Sequence, residues 1–120
     1  MPKKSIAIGV VGAGPWGKNH IRNYCDLGLD VWVADINETR LKELEIKFPI
    51  KTTKDYKELL ANEKILGASI CAPASMHCRI ALEFISAKKH VLIEKPMALN
   101  VEDAKKTMDA ARANGITVMV

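Results

Sequence analysis

Aromatic residues are scarce in this chain: two Trp, two Tyr and two Phe, 5% of 120 residues. Proteins that grip nucleic acid usually set aromatic side chains among clustered basic ones. The formal charge of +4 is instead spread out or paired, as in Lys3-Lys4, Lys88-Lys89 and Lys105-Lys106. These lysines read as solvated helix surface with some pull on anionic ligands, and no nucleic-acid partner is expected. Cysteine is also sparse. Cys25, Cys71 and Cys78 are odd in number and form no C-x-x-C pair, which excludes a disulfide framework and points to reduced thiols in a cytosolic protein. Metal ligation by Cys71, Cys78 and His77 would call for the paired spacing of zinc sites. That spacing is missing, so no metal is expected, and Cys71 is read as a small apolar residue of a buried strand. No apolar run reaches the ~18 residues that span a bilayer. The basic start and short apolar segment of MPKKSIAIGVVGAGPWG imitate a leader, but glycines and Trp16 interrupt it and no clean cleavage site follows. A cytoplasmic protein without membrane contact is expected. Repeats, low-complexity tracts and linkers are absent, so residues 1–120 read as one domain with a sizeable core.

What is present centres on Ser5 to Asn19, SIAIGVVGAGPWGKN. Ile6, Ala7, Ile8, Val10 and Val11 form an apolar run, as in a strand buried on both faces of a parallel sheet. The run ends in Gly12-Ala13-Gly14-Pro15-Trp16-Gly17, a G-x-G-x-x-G pattern with a helical stretch from Trp16. In a dinucleotide site the first glycine permits the tight turn, the second lets the backbone approach a pyrophosphate, and the third lets helix and strand pack closely. The helix N-terminus then offers free N–H groups and partial positive charge to the phosphates. On its own the pattern is weak and needs context.

The rest of the chain supplies that context. A first helix is expected from Trp16 to Leu27 with Ile21, Tyr24 and Cys25 inward, ended by Gly28. His20 on this helix reads as a packing or hydrogen-bonding residue rather than a catalyst. A second strand, Leu29 to Ala34, ends at Asp35, 23 positions after Gly12. A Rossmann unit places there the carboxylate that accepts hydrogen bonds from the adenosine ribose. It would repel a 2′-phosphate, favouring NAD, while Arg40 nearby leaves NADP open. The alternative for Asp35 is a turn or capping residue. A helix from Glu38 to Phe48 follows, with Leu41, Leu44 and Phe48 inward. Then come a strand at Ile50 to Thr53 and a small helix from Asp55 to Ala61. Gly67 to Ala72 reads as a fourth strand broken by Pro73, with Ser75 as N-cap of a helix whose inner face is His77, Ile80, Ala81, Phe84 and Ile85. A fifth strand, His90 to Glu94, runs into Lys95-Pro96. Asn100 caps a helix from Val101 to Asn114 with Val101, Ala104, Met108 and Ala111 inward, and Gly115 closes it. Ile116 to Val120 is a sixth strand.

Strands alternating with helices, joined by right-handed crossovers, give a doubly wound parallel α/β sheet in the order 3-2-1-4-5-6. Ligands bind where that order reverses, outside the carboxyl ends of the strands. The glycine turn, Pro73 to His77, and Glu94-Lys95-Pro96 all end there.

These segments, together with Asp35, Ala72-Pro73-Ala74-Ser75-Met76-His77 and Lys89-His90-Val91-Leu92-Ile93-Glu94-Lys95-Pro96-Met97-Ala98-Leu99, resemble the nucleotide-binding half of the glucose–fructose oxidoreductase / inositol 2-dehydrogenase / MocA family. The resemblance covers essentially the whole chain, and Glu-Lys-Pro after a buried strand is its most diagnostic part. The G-P-W-G loop looks most like members acting on nucleotide-linked sugars. The resemblance implies hydride transfer between NAD(P) and a sugar or polyol hydroxyl. Lys95 would lie beside the nicotinamide and the reacting carbinol as the catalytic or orienting group. Its charge or a burial-lowered pKa would serve there. Gly12, Gly14, Pro15, Trp16, Gly17, Asp35, Pro73, His77, Glu94, Lys95 and Pro96 would form the cofactor site, with Pro96 after a cis peptide. Ala72 and Ala74 depart from a threonine and an asparagine common in the family, which removes one or two hydrogen bonds to the cofactor. Without the resemblance, Lys95 reads as a solvated loop lysine.

Family members carry a second α/β domain for the sugar pocket and further catalytic groups, and nothing in this chain corresponds to it. The expectation is therefore an incomplete enzyme, excised or naturally short, that binds NAD and meets its substrate only with a second domain or subunit. The face such a domain would cover should be apolar, so homo-oligomers are expected. A stand-alone nucleotide-binding module, acting as sensor or partner subunit, is the alternative. The Glu-Lys-Pro setting of Lys95 argues against it.

Overall fold

A computed structural model describes residues 6–120. Residues 1–5, with the Lys3-Lys4 pair and the Ser5 that opens the glycine stretch, lie outside the described residues. Six parallel strands, β1 (Ala7–Val11), β2 (Asp30–Ala34), β3 (Ile50–Thr53), β4 (Ile65–Ile70), β5 (His90–Ile93) and β6 (Val118–Met119), form one sheet in the order β3-β2-β1-β4-β5-β6. The connections carry helices α1 (Pro15–Asp26), α2 (Glu38–Lys47), α3 (Lys57–Ala61), α4 (His77–Ser86) and α5 (Val101–Asn114).

Alternation along each strand sorts side chains to two faces. Ala7 and Val11 of β1, Ala34 of β2, Ala68 and Ile70 of β4, and Val91 and Ile93 of β5 pack with Leu59 of α3, Ile80 and Phe84 of α4, and Ala111 of α5. On the opposite face, Val10 of β1 and Val31 and Val33 of β2 pack with Ile21 of α1 and Leu41 and Leu44 of α2. One polar exception sits in this scheme. Ser69 of β4 is wholly buried and alternates to the α1 side of the sheet.

Several boundaries differ from the sequence reading, each for a local reason. α1 begins one residue early because Pro15, whose missing N–H is no loss in a first turn, occupies the N1 position. β4 starts at Ile65 and stops at Ile70, so Cys71 lies just past the strand and is half-buried rather than inside it. Ser75 caps nothing: Ala74–Met76 form a 3-10 turn closed by the Met76 N–H on the Pro73 carbonyl at 2.8 Å, and α4 starts at His77. On α5 the buried residues are Thr107 and Ala111, whereas Val101 is 84% and Met108 38% exposed. The helix leans on α4 through Thr107, whose hydroxyl donates to the Asp103 carbonyl and so can be buried. Lys89, read as solvated, is 4% exposed. Its ammonium donates to the carbonyls of Asn62 and Ile65, both at 2.7 Å, and so ties the α3–β4 turn to the start of β5. The Asn100 cap is as expected, its side chain accepting the Asp103 N–H at 2.8 Å.

Candidate functional site

The glycine turn is built by close approach. Gly12 has φ +96°, and a Cβ there would lie 2.6 Å from the Cys71 carbonyl oxygen; one on Gly17 would lie 1.9 Å from the Gly12 oxygen. Only glycine lets β1, α1 and the end of β4 meet at these points. Gly14 is different: nothing lies within 4 Å of its would-be Cβ. It faces open space at the N-terminus of α1, where the first amide bonded back into the helix is that of Lys18, to the Gly14 carbonyl at 2.9 Å. The amides ahead of it have no intrahelical partner and a partial positive charge behind them. A pyrophosphate fits this cradle.

Asp35 lies at the tip of β2, beside the glycine turn. Its side chain is 7% exposed. One carboxylate oxygen accepts the Ala13 N–H at 2.7 Å and the other the Asn37 N–H at 2.8 Å, with Arg40 Nη1 3.4 Å from the first. Asp35 thus pins the glycine loop and shapes its own turn. Oδ1, which among the described residues accepts only from Asn37, keeps a further lone pair for an outside donor.

On the other side of the turn, Trp16, Cys71, Ala72, Ala74, His77, Glu94 and Lys95 line an open hollow of about 180 Å³. That is smaller than the 300 Å³ or more that encloses a typical ligand, as expected of a site walled on one side. A larger groove of about 280 Å³ between α2 and β3 is lined by Glu38, Lys42, Glu45 and Lys54. Glu38 pairs there with both Lys42 and Lys54 and Glu45 accepts from the Thr52 hydroxyl, and none of the switch-point segments reaches it. The smaller hollow is the functional candidate.

His77 forms the floor of that hollow. It is 2% exposed, with Nδ1 2.8 Å from the Pro96 carbonyl oxygen and Nε2 2.7 Å from that of Ala72. Its ring therefore ties the Pro73 and Pro96 loops together. Trp16 is 66% exposed at the rim; Pro73, Lys95 and Pro96 are exposed as well. The Lys95–Pro96 peptide is cis. None of the described residues buries Lys95.

Glu94 is held from below. His20 Nε2 is 2.7 Å from Glu94 Oε1, His20 Nδ1 is 2.8 Å from Ser69 Oγ, and Ser69 Oγ is 2.5 Å from the Tyr24 hydroxyl. The His20 hydrogen bond is the main reason the Glu94 carboxyl lies below its ordinary pKa, against the opposing effect of burial. Burial pushes the Cys71 thiol up to about 12, which leaves it unreactive. Among the described residues no group of three or more His, Cys, Asp or Glu side chains could hold a metal ion. The sequence reading placed His20 correctly as a hydrogen-bonding residue but missed Ser69 and Tyr24. The available signal was alternation: Ser69 and Glu94 both sit at positions that turn toward α1.

A parallel sheet in this order, with an N-terminal helix cradle and an acidic residue at the next strand tip, defines the class: a dinucleotide-binding Rossmann domain. The family follows from comparison. Residues 6–120 match the model of the GFO/IDH/MocA oxidoreductase family, NAD-binding Rossmann fold, and the chain belongs to that family. It is 32% identical over 120 residues to the uncharacterized oxidoreductase YrbE of Bacillus subtilis, covering 98% of this chain and 35% of YrbE. Myo-inositol 2-dehydrogenase of Thermotoga maritima is 31% identical over 110 residues, 89% of this chain and 33% of that enzyme. The crystal structure of the WlbA dehydrogenase from Bordetella pertussis in complex with NADH and UDP-GlcNAcA superposes with a TM-score of 0.86 at 28% identity, covering 97% of this chain and 36% of WlbA. The chain spans about a third of the length of the relatives it matches. No described helix is long and apolar enough to cross a membrane.

Proposed function

We propose that residues 1–120 act as the cofactor half of an oxidoreductase that moves hydride between NAD and the hydroxyl of a sugar or polyol. The observation that carries this reading is the convergence of the glycine cradle, Asp35 and the Glu94-Lys95-Pro96 loop on the reversal point of one sheet. Bound NAD supplies the hydride acceptor. Of the chain's own residues, the α1 amides hold the pyrophosphate, Asp35 accepts from the adenosine ribose, and the Lys95 ammonium stabilises the oxygen of a carbinol as its proton passes to a base of the second domain or subunit. Pro15, Trp16, Pro73, His77 and Pro96 shape the walls. Asp35, partnered but still able to accept, favours NAD over NADP. Arg40 is drawn to Asp35 rather than presented to a 2′-phosphate. The names of the relatives, an inositol dehydrogenase and a dehydrogenase crystallised with a nucleotide sugar, support a polyol or sugar substrate. A nucleotide-linked sugar suits the G-P-W-G loop. The open hollow leaves the substrate's other contacts to a second domain or subunit, in a protein that works in the cytoplasm.

Thermal melting with NAD, NADP, ADP and coenzyme A tests this. NAD raises the melting temperature most, because saturation at a hundred times Kd stabilises by about 2.7 kcal/mol. No shift with any of the four sinks the reading, and a shift with coenzyme A alone marks a different nucleotide binder. The isolated chain shows little or no sugar dehydrogenase turnover; robust turnover overturns the assignment of substrate contacts elsewhere. The open hollow also suits a second reading, a nucleotide-binding module without chemistry. Lys95→Ala in the complete protein separates the two: loss of turnover with NAD affinity retained supports the oxidoreductase.

A further inference from the structure

With the His20 ring neutral, the half-buried polar cluster beneath the hollow has one consistent direction. A carboxylate only accepts, so the bond at 2.7 Å requires His20 Nε2 to carry the proton and donate to Glu94. In the neutral ring Nδ1 is then an acceptor, which makes Ser69 the donor at 2.8 Å and Tyr24 the donor to Ser69. No buried side-chain polar atom among the described residues is left without a partner. Tyr24 and Ser69 thus hold His20 in one tautomer, and His20 holds Glu94 at the edge of the hollow.

Where Glu94 sits decides what this does. Asp35 marks the tip of β2, the glycine turn follows β1, and Glu94 follows β5, on the opposite side of the turn. Strands ~4.8 Å apart put Asp35 and Glu94 about three spacings, roughly 14 Å, from each other. A dinucleotide with its pyrophosphate at α1 and its adenosine ribose at Asp35 therefore lays its other ring over the ends of β4 and β5, beside Glu94. That ring carries a positive charge in NAD and none in NADH.

We propose that Glu94, fixed by His20, makes this site prefer the oxidised over the reduced cofactor. The inference rests on the NAD reading above. An anion held in place attracts the cationic ring and is indifferent to the neutral one, a difference of about tenfold in affinity for one unit charge across a half-exposed pocket. The exposed Lys95 ammonium on the same rim acts the other way, so Glu94→Gln, which leaves Lys95 in place, isolates the share of the carboxylate. His20 is a positioning residue: it acts by keeping the carboxylate from swinging out to solvent.

Dissociation constants for NAD and NADH are measured on the full chain by calorimetry and NADH fluorescence, with melting in the absence of cofactor as the folding control. In Glu94→Gln the ratio of the two affinities moves about tenfold toward NADH. His20→Ala moves it several-fold the same way. His20→Gln, which keeps an N–H donor for Glu94, restores it. The other titratable groups facing the pair are Tyr24 on α1, Cys71 after β4 and Lys95 after β5. Burial keeps Tyr24 and Cys71 neutral. A ratio unchanged within about twofold in folded Glu94→Gln overturns the proposal while leaving NAD binding intact. Failure of the folded chain to bind either form defeats the NAD reading itself.

Discussion

At the scale of single residues, the three glycines of the turn have separable duties. Gly12 and Gly17 are demanded by packing, since a Cβ at either runs into backbone. Gly14, with φ −70° and open space around it, is demanded only by what comes from outside. Gly17→Ala is expected to destabilise by about 3 kcal/mol in urea denaturation. Gly14→Ala leaves the denaturation midpoint unchanged and weakens NAD in calorimetry. Equal losses of stability in the two variants would refute this division. Glu94 adds a pH dependence with a definite sign. Its folded pKa lies below the ordinary carboxylate value, so its contribution is present above that ordinary range, about pH 4. The contribution is lost as pH falls through the depressed value. The melting-temperature gap between the wild type and Glu94→Gln is therefore widest near neutrality and closes in acid. A gap that widens in acid would reverse the sign and the argument.

At the scale of elements, the two helix starts that the sequence marks with a capping residue turned out differently. Asn100 accepts the Asp103 N–H and caps α5, while Ser75 sits exposed inside a 3-10 turn. Asn100→Ala should cost about 1 kcal/mol, and Ser75→Ala should stay within about 0.5 kcal/mol. Chemical denaturation of the pair distinguishes them. The capping signal is local and was legible at Asn100. At Ser75 it was overridden because Pro73 places its carbonyl to close a tighter turn first. The inner faces of α2 and α4 were legible for the same local reason: Leu41, Leu44, Ile80, Ala81, Phe84 and Ile85 are all buried. α5 was misread because a threonine that satisfies its own hydroxyl can be buried in place of a methionine.

At the scale of the whole molecule, apolar side chains remain uncovered. Leu99 and Val101 are exposed at the start of α5, and Met119 at β6, a two-residue strand with an open outer edge. Exposed apolar surface and an unpaired edge favour association. Light scattering at high concentration should give a mass above that of one chain, and a strictly monomeric profile would count against it.

The sequence alone determined the order of strands and helices, the glycine turn, the acidic tip of β2 and the family. These are written in local periodicity, in residues whose backbone freedom is special, and in contiguous motifs. Tertiary structure alone decided the rest. His20 and Tyr24 lie on α1, Ser69 on β4 and Glu94 just after β5, and Lys89 reaches carbonyls more than twenty residues away. Hydrogen bonds between such positions leave no periodic trace. They exist only because parallel pairing of β1, β4 and β5 brings those elements side by side.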